Sequence, residues 1–368
     1  MNMTEEKLKE LVARLYLAIA FLKECNYKCG YCHPFGESKI THDENLSKTE
    51  LEEVIAAATD YGFRTFRFTG GECTLLPWFA DILEYTIDLN PKVKVNVCTN
   101  GSTLDKYLDL FEKHKNNINL RISLDSTNPE HYRLGFYKIL TPKLEKSLRE
   151  VSRREIPARF NVVVMQSNKT EVNKIIELAS ELGFDVKLLD LYVQDQYIAT
   201  SEIVENNKMS PQLNPLEYWK RNYVNLNEFV PEFEKRSSRK ITHYNKDGGF
   251  GIPMYAFEIN GIKVIFKDST KGSFYHPKEC IKSCSYFGTM CQEGMYTPHI
   301  SSNMVLHVNG CHNPKLRWNL RGTSHEQKLQ AFNEILALFT NLQYIHIPPH
   351  PIKFYLNNNG DKNGATTL

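Results

Sequence analysis

A chain of 368 residues exceeds what one ordinary compact core holds, so it predicts two domains, or one large barrel-like domain with an appendage. Its 45 Lys and Arg against 43 Asp and Glu leave a net charge of +2, a balance that gives no overall field to attract nucleic acid or a membrane surface. The longest apolar run, LYLAIAFL at 15–22, is too short to span a bilayer and lacks signal-peptide flanks, so the expected location is the cytoplasm.

In chain order, LYLAIAFL reads as a buried strand, and a loop with three cysteines follows it. LSKTELEEVIAAATDYG places Ser47 and Glu50 as a capping box, with Leu51, Val54 and Ile55 on one helical face. FRTFRFTGG (63–71) is strand-like and ends in a turn. Further strands are expected in KVKVNVCTNG (92–101), INLRISLDS (118–126), RFNVVVMQS (159–167) and VKLLDLYV (186–193). Helical segments such as TPKLEKSLREVSRRE and KTEVNKIIELASELG separate most of them. Strands alternating with helices argue for an α/β fold with a parallel sheet, curved into a partial barrel or left open. From 197 to 247 the pattern dissolves into an irregular connection. Beyond it, MYAFEINGIKVIF carries Asn260–Gly261 between apolar alternations, a hairpin signal. The helix SHEQKLQAFNEILALFTNL and a polar tail, NNNGDKNGATTL, complete the chain. The expected domains are 1–196, the connection 197–247, and a C-terminal part, 248–368.

In such folds chemistry gathers at the C-terminal ends of the strands. That rule selects the cysteine loop, TGGE, CTNG, SLDS and VMQS, which together could face one cavity. Nine cysteines are more than packing needs, and in a reducing compartment clusters of them read as metal or redox groups. Seven fall in two groups: Cys25, Cys29 and Cys32, then Cys280, Cys284, Cys291 and Cys311. Cys73 and Cys98 stand apart as small core or pocket residues. Thiolates suit zinc or iron–sulfur clusters. Structural zinc wants four ligands, and His33 is poorly placed to serve as a fourth because it adjoins Cys32. A 4Fe–4S cube held by three cysteines keeps one iron open to a ligand that is not protein.

The spacing CxxxCxxC, with Tyr31 before the third cysteine and TGGE about forty residues on, resembles the radical S-adenosylmethionine (SAM) enzymes. The resemblance implies a partial (β/α)6 TIM-like barrel with a small cysteine-rich auxiliary-cluster domain. It implies that Cys25, Cys29 and Cys32 hold a 4Fe–4S cluster whose open iron chelates SAM, and that reductive cleavage yields a 5′-deoxyadenosyl radical. RISLDSTNPEHYRLGF, RFNVVVMQSNKTEV and the hairpin further resemble the GTP 3′,8-cyclase group of molybdenum-cofactor synthesis. On that likeness Gly70, Gly71 and Glu72 meet SAM's methionine end. Thr99, Asn100 and Ser123 contact its carboxylate or ribose, and Met165 and the backbone near Tyr31 contact its adenine. Cys73 departs from the group by standing where proline usually follows GGE.

The second group, with gaps of three, six and nineteen residues, is by the same likeness a second, auxiliary 4Fe–4S site of the twitch type. Four thiolates could equally close a zinc tetrahedron. The spacing departs from the cyclase's, and a fourth cysteine is present. QEGMYTPHISSN lacks the arginines that grip a triphosphate there, and the chain ends NGATTL rather than in paired glycines. Both departures argue against GTP itself, since guanidinium forks are difficult to replace.

The expected function is hydrogen abstraction from a small-molecule substrate, a nucleoside, nucleotide or sugar-like metabolite, in cofactor or natural-product biosynthesis. The reaction expected is carbon–carbon bond-forming or rearranging, with a flavodoxin or ferredoxin as electron donor. A peptide-modifying maturase is the alternative, disfavoured because only about twenty residues precede the first cluster. A non-catalytic zinc or cluster protein is a third. Lys28, His33 and Glu37 flank the first site, and Arg67, Gln166 and Tyr192 are candidates on the substrate side.

Overall fold

A computed structural model describes residues 5–27, 29, 31–32, 46–134, 138–191, 221–241, 252, 254–271, 273–284, 295–309, 311, 313–340 and 342–347. Six strands run in the expected order: β1 Leu17–Ala20, β2 Thr65–Thr69, β3 Lys94–Thr99, β4 Ile118–Ser123, β5 Ala158–Val164 and β6 Asp185–Asp190. Each is parallel to the next. Helices α2 Lys48–Tyr61, α3 Phe79–Asp88, α4 Leu104–Lys113, α5 Pro142–Arg153 and α6 Val172–Leu182 make the crossovers, following an N-terminal α1, Glu5–Arg14. The capping box exists as read: Ser47 accepts from the Glu50 N–H, and Glu50 accepts from the Ser47 N–H at 2.9 Å.

Period-two alternation divides the sheet into two faces. Phe66, Phe68, Val95, Val97, Leu120, Ile122, Phe160 and Val162 are buried under the helices, each contributing about 1.5–3 kcal/mol by leaving water. The alternate residues, Arg67, Asn96, Cys98, Arg121, Arg159 and Asn161, lie on the inner face, away from the helices.

The sheet does not stop at β6. The hairpin β8 (Met254–Ile259) and β9 (Ile262–Lys267) adds β9 parallel to β6, and β7 (Arg239–Ile241) closes that side. Asn260 and Gly261 both take positive φ, 50° and 82°, as its two-residue turn requires. On the other side β11 (Pro298–Ile300) pairs parallel with β1, followed by β12 (Val305–Val308) and β13 (Arg317–Asn319). The described residues thus form an open twelve-stranded sheet, plus a two-stranded ribbon of β10 (Ser273–Pro277) and β14 (Leu342–Ile347). The helix His325–Thr340 packs on α2, where Lys328 reaches Glu53 at 3.2 Å. Most of the 197–247 connection and the polar tail lie outside the described residues. Among the described residues no helix is long and apolar enough to cross a membrane.

Candidate active site

The glycine pair is fixed by backbone contact. Beyond the end of β1 the chain still runs beside β2, and the N–H groups of Gly71 and Glu72 donate to the carbonyls of Leu22 and Glu24 at 2.7 and 2.9 Å. A Cβ at Gly70 would stand 2.4 Å from the Leu22 oxygen, and one at Gly71 would stand 1.9 Å from the Glu24 oxygen. Only glycine permits this approach, which delivers Cys25 to the end of β2.

Glu72 is buried beneath that contact, and its carboxylate is fully engaged. It accepts from the Thr74 N–H and hydroxyl (3.2 and 2.5 Å), the Thr99 hydroxyl (2.8 Å) and the Asn100 N–H (2.5 Å). Burial pushes its carboxyl up from the ordinary range, and these donors oppose the shift. Asn100 then carries the network outward, its amide donating to Asn26 at 2.8 Å and to the Cys25 sulfur at 3.5 Å. Four predicted residues, Cys25, Glu72, Thr99 and Asn100, are thereby joined. Cys73, where proline was expected, is buried and donates its thiol to the Cys98 carbonyl at 3.4 Å.

Tyr31 belongs to a second knot. Its hydroxyl donates to Asp125, whose other oxygen accepts the Val163 N–H at 2.9 Å. Burial raises the Asp125 carboxyl, opposed by Lys138 and Tyr31. Asn168, wholly buried, donates to the carbonyls of Asp125 and Val163 and accepts from the Met165 N–H at 2.7 Å. Glu171 accepts from the Thr127 N–H and hydroxyl and from Ser126. Met165 is buried, Gln166 donates to the Tyr223 carbonyl at 3.1 Å, and Ser123 ends β4 on the inner face. Asp125, Asn168, Glu171 and Lys138 were not singled out from sequence. Asp125 sits inside the SLDS motif, but the donors that make it structural come from the Tyr31 loop and β5.

The triplet suits a thiolate-bound cluster on its own chemistry. Cys25 receives two N–H donors, from Tyr27 at 3.4 Å and from Asn100, as a sulfur ligand would. Cys29 is buried, the Cys32 N–H donates to the Cys29 carbonyl at 3.0 Å, and the Lys138 ammonium senses all three sulfurs. Among the described residues no three His, Cys, Asp or Glu side chains converge as one metal ion requires. The anchors of a cube each take their own iron and need not converge. Of the second group, Cys280 and Cys284 lie one turn apart on the helix Lys278–Ser283 and its cap. Burial, then the neighbouring Cys284, raises the Cys311 thiol. Cys291 lies outside the described residues, as do Lys28, His33, Glu37 and Tyr192.

Below the rim the inner face carries cations on neighbouring strands. Arg67 donates to the Cys98 sulfur at 3.1 Å, and Arg121 to Asn96 at 2.5 Å. Arg159, beside Arg121 in register, has a buried Nε without a partner, and Lys187 has no hydrogen bond or ion pair among the described residues. Burial and then the Arg121 and Arg67 charges push the Arg159 guanidinium down to about 9. Burial, then Arg159 and Lys267, pushes Lys187 well below the ordinary lysine range. Only Arg67 had been named from sequence; the signal for the others was one cation at an inner-facing position of each of β4, β5 and β6.

Residues 19–192 match the Radical SAM superfamily model. They form a radical SAM domain. The chain is 26% identical over 210 residues to the GTP 3′,8-cyclase of Synechocystis sp., covering 55% of this chain and 64% of that one. It is 24% identical over 281 residues to the GTP 3′,8-cyclase of Syntrophomonas wolfei, covering 72% and 82%. The matched part spans from about half to four fifths of such relatives' own lengths. Among solved structures, Streptococcus suis SuiB bound to S-adenosylmethionine superposes with a TM-score of 0.53 at 15% identity, over 85% of this chain and 65% of that one. Native anSMEcpe with bound AdoMet gives 0.53 at 20% identity, over 88% and 84%. At these identities the two structures share the fold with the radical SAM domain and its flanking strands.

Proposed function

We propose that the chain is a radical SAM enzyme acting on an anionic small molecule, a nucleotide or sugar-phosphate-like metabolite, in cofactor or natural-product biosynthesis. Cys25, Cys29 and Cys32 would hold a 4Fe–4S cluster, which when bound supplies the electron that splits SAM's sulfonium to give a 5′-deoxyadenosyl radical. Glu72, through Thr99 and Asn100, fixes the strand ends around SAM, and Asp125 fixes the Tyr31 loop. Cys280, Cys284, Cys291 and Cys311 would hold an auxiliary 4Fe–4S cluster, and a small one-electron protein such as flavodoxin or ferredoxin would be the donor. The division at 196 and 247 belongs to this reading.

The observation that carries the substrate class is the pair Arg159, half-buried with an unpartnered buried Nε, and buried Lys187, neither of which has an ion pair among the described residues. Such groups are destabilising by themselves, and a bound phosphate or carboxylate satisfies both. The arginines absent from 292–303 are therefore not needed for anion recognition, because the strands supply cations instead.

The test is anaerobic reconstitution followed by dithionite and SAM. Full-length protein should release 5′-deoxyadenosine, with about seven to eight irons per chain if both sites hold 4Fe–4S clusters. Alanine at any one of Cys25, Cys29 or Cys32 should abolish release, and release that persists sinks the enzyme assignment. Deuterium transfer into 5′-deoxyadenosine should occur from a phosphorylated substrate and fail in Lys187→Met. Transfer from an uncharged peptide, unaffected by Lys187→Met, favours the maturase instead.

A further inference from the structure

Lys138 stands between SLDS and α5, and nothing in the SAM-binding motifs refers to it. Its carbonyl accepts the Asp125 N–H at 2.7 Å, so its backbone is tied to the end of β4. Its ammonium lies 5.0 Å from the centroid of the Tyr31 ring, and Tyr31 directly precedes Cys32. The Tyr31 hydroxyl donates to the Asp125 carboxylate, which completes a triangle of ring, carboxylate and ammonium at the edge of the triplet. Burial works against the charge on the lysine. Asp125 and then Cys32, Cys29 and Cys25 outweigh burial and keep it a cation. The ring it sits over directly precedes Cys32, so the charge stands beside the triplet loop.

A cluster gains one negative charge on reduction, and charge beside it is one of the levers that set its potential. We propose that the Lys138 ammonium, seated over the Tyr31 ring beside the Cys32 loop, raises the reduction potential of a cluster bound at Cys25, Cys29 and Cys32. This rests on the triplet holding a 4Fe–4S cluster. Asp125 acts in opposition, since its carboxylate, bonded to the Tyr31 hydroxyl, offsets the ammonium charge. Removing one partner or the other should therefore move the potential in opposite directions, a result that loosening of the loop would not produce.

The experiment is an EPR-monitored redox titration of the reconstituted full chain without SAM, the relevant signal being assigned by its change when SAM is added. In Lys138→Met the ratio of reduced to oxidised cluster at a fixed poise should fall about tenfold, a shift of about 59 mV for a one-electron couple. Lys138→Arg should titrate near the wild type, and Asp125→Asn should shift the opposite way to Lys138→Met. Unchanged potentials in Lys138→Met at wild-type iron content overturn the proposal. A shift that appears only with SAM present also overturns it, because the ammonium would then serve the cofactor's carboxylate. If Lys138→Met does not load, an Asp125→Asn potential equal to the wild type overturns it as well. Absence of any 4Fe–4S signal in the wild type is a different failure and sinks the parent reading.

Discussion

The rim of the sheet and the inner face below it handle buried charge in opposite ways. At the rim, Glu72, Asp125 and Glu171 are buried carboxylates, each accepting two or more hydrogen bonds from the protein itself. Two to four strand residues lower, half-buried Arg159 and buried Lys187 have no ion pair among the described residues. The rim is scaffold, complete without any ligand. On the proposed reading, the inner face awaits an anion.

The harshest way to break the rim is Gly71→Ala. Its Cβ has nowhere to go against the Glu24 carbonyl, so the loop entry must shift. Expected are a stability loss of about 4 kcal/mol or more in chemical denaturation and loss of iron retention. Glu72→Gln keeps the shape but sets an amide N–H₂ group against donors. It should cost about 3 kcal/mol and slow 5′-deoxyadenosine release far more than it raises the KM for SAM. Glu171→Gln is gentler, about 1–2 kcal/mol. Burial works against the Glu171 charge, but Lys174 and Thr127 hold the carboxyl at about 2. A depressed carboxyl stabilises the fold fully above its ordinary pKa, near 4.5, and loses that contribution as pH falls toward about 2. The acid-unfolding curve of Glu171→Gln should therefore be flatter than that of the wild type in this window.

The inner face should respond with the reverse sign. Arg159→Met and Lys187→Met are each expected to leave melting temperature unchanged or to raise stability by about 1 kcal/mol, while weakening pyrophosphate binding. Marked destabilisation by both would erase the contrast between rim and face. The smallest effect is a pH dependence. An anion restores the depressed Lys187 toward its ordinary range, so binding takes up protons and affinity falls as pH rises. Calorimetry with pyrophosphate in two buffers of different ionisation enthalpy measures that uptake directly.

The strands and their order were legible because they read as short apolar alternations between helical periods. Ser47 and Glu50 announced a helix start, and Asn260–Gly261 announced a hairpin, since both signals are local. The cysteine triplet and the GGE, TNG and SLDS ends were legible as a series. The glycine requirement was not: it arises from the carbonyls of Leu22 and Glu24, some fifty residues earlier. The partners of Asp125 lie on the Tyr31 loop, on β5 and at Lys138, so no window of sequence shows them together. The cations at 121, 159 and 187 were visible as single residues, but their lack of counter-ions is a property of the assembled sheet.

Strand β11 runs parallel to β1, with Ala18 opposite His299 and Ile19 opposite Ile300. The strand leading into Cys25 is thus laced by hydrogen bonds to the one whose hairpin partner leads to Cys311. Among the described residues, Cys25 and Cys311 are thereby tied to one hydrogen-bonded sheet, while Cys280 and Cys284 lie beside the separate β10–β14 ribbon. If clusters sit at both places, as proposed, the distance from Cys25 to Cys311 is set by that sheet when the chain folds.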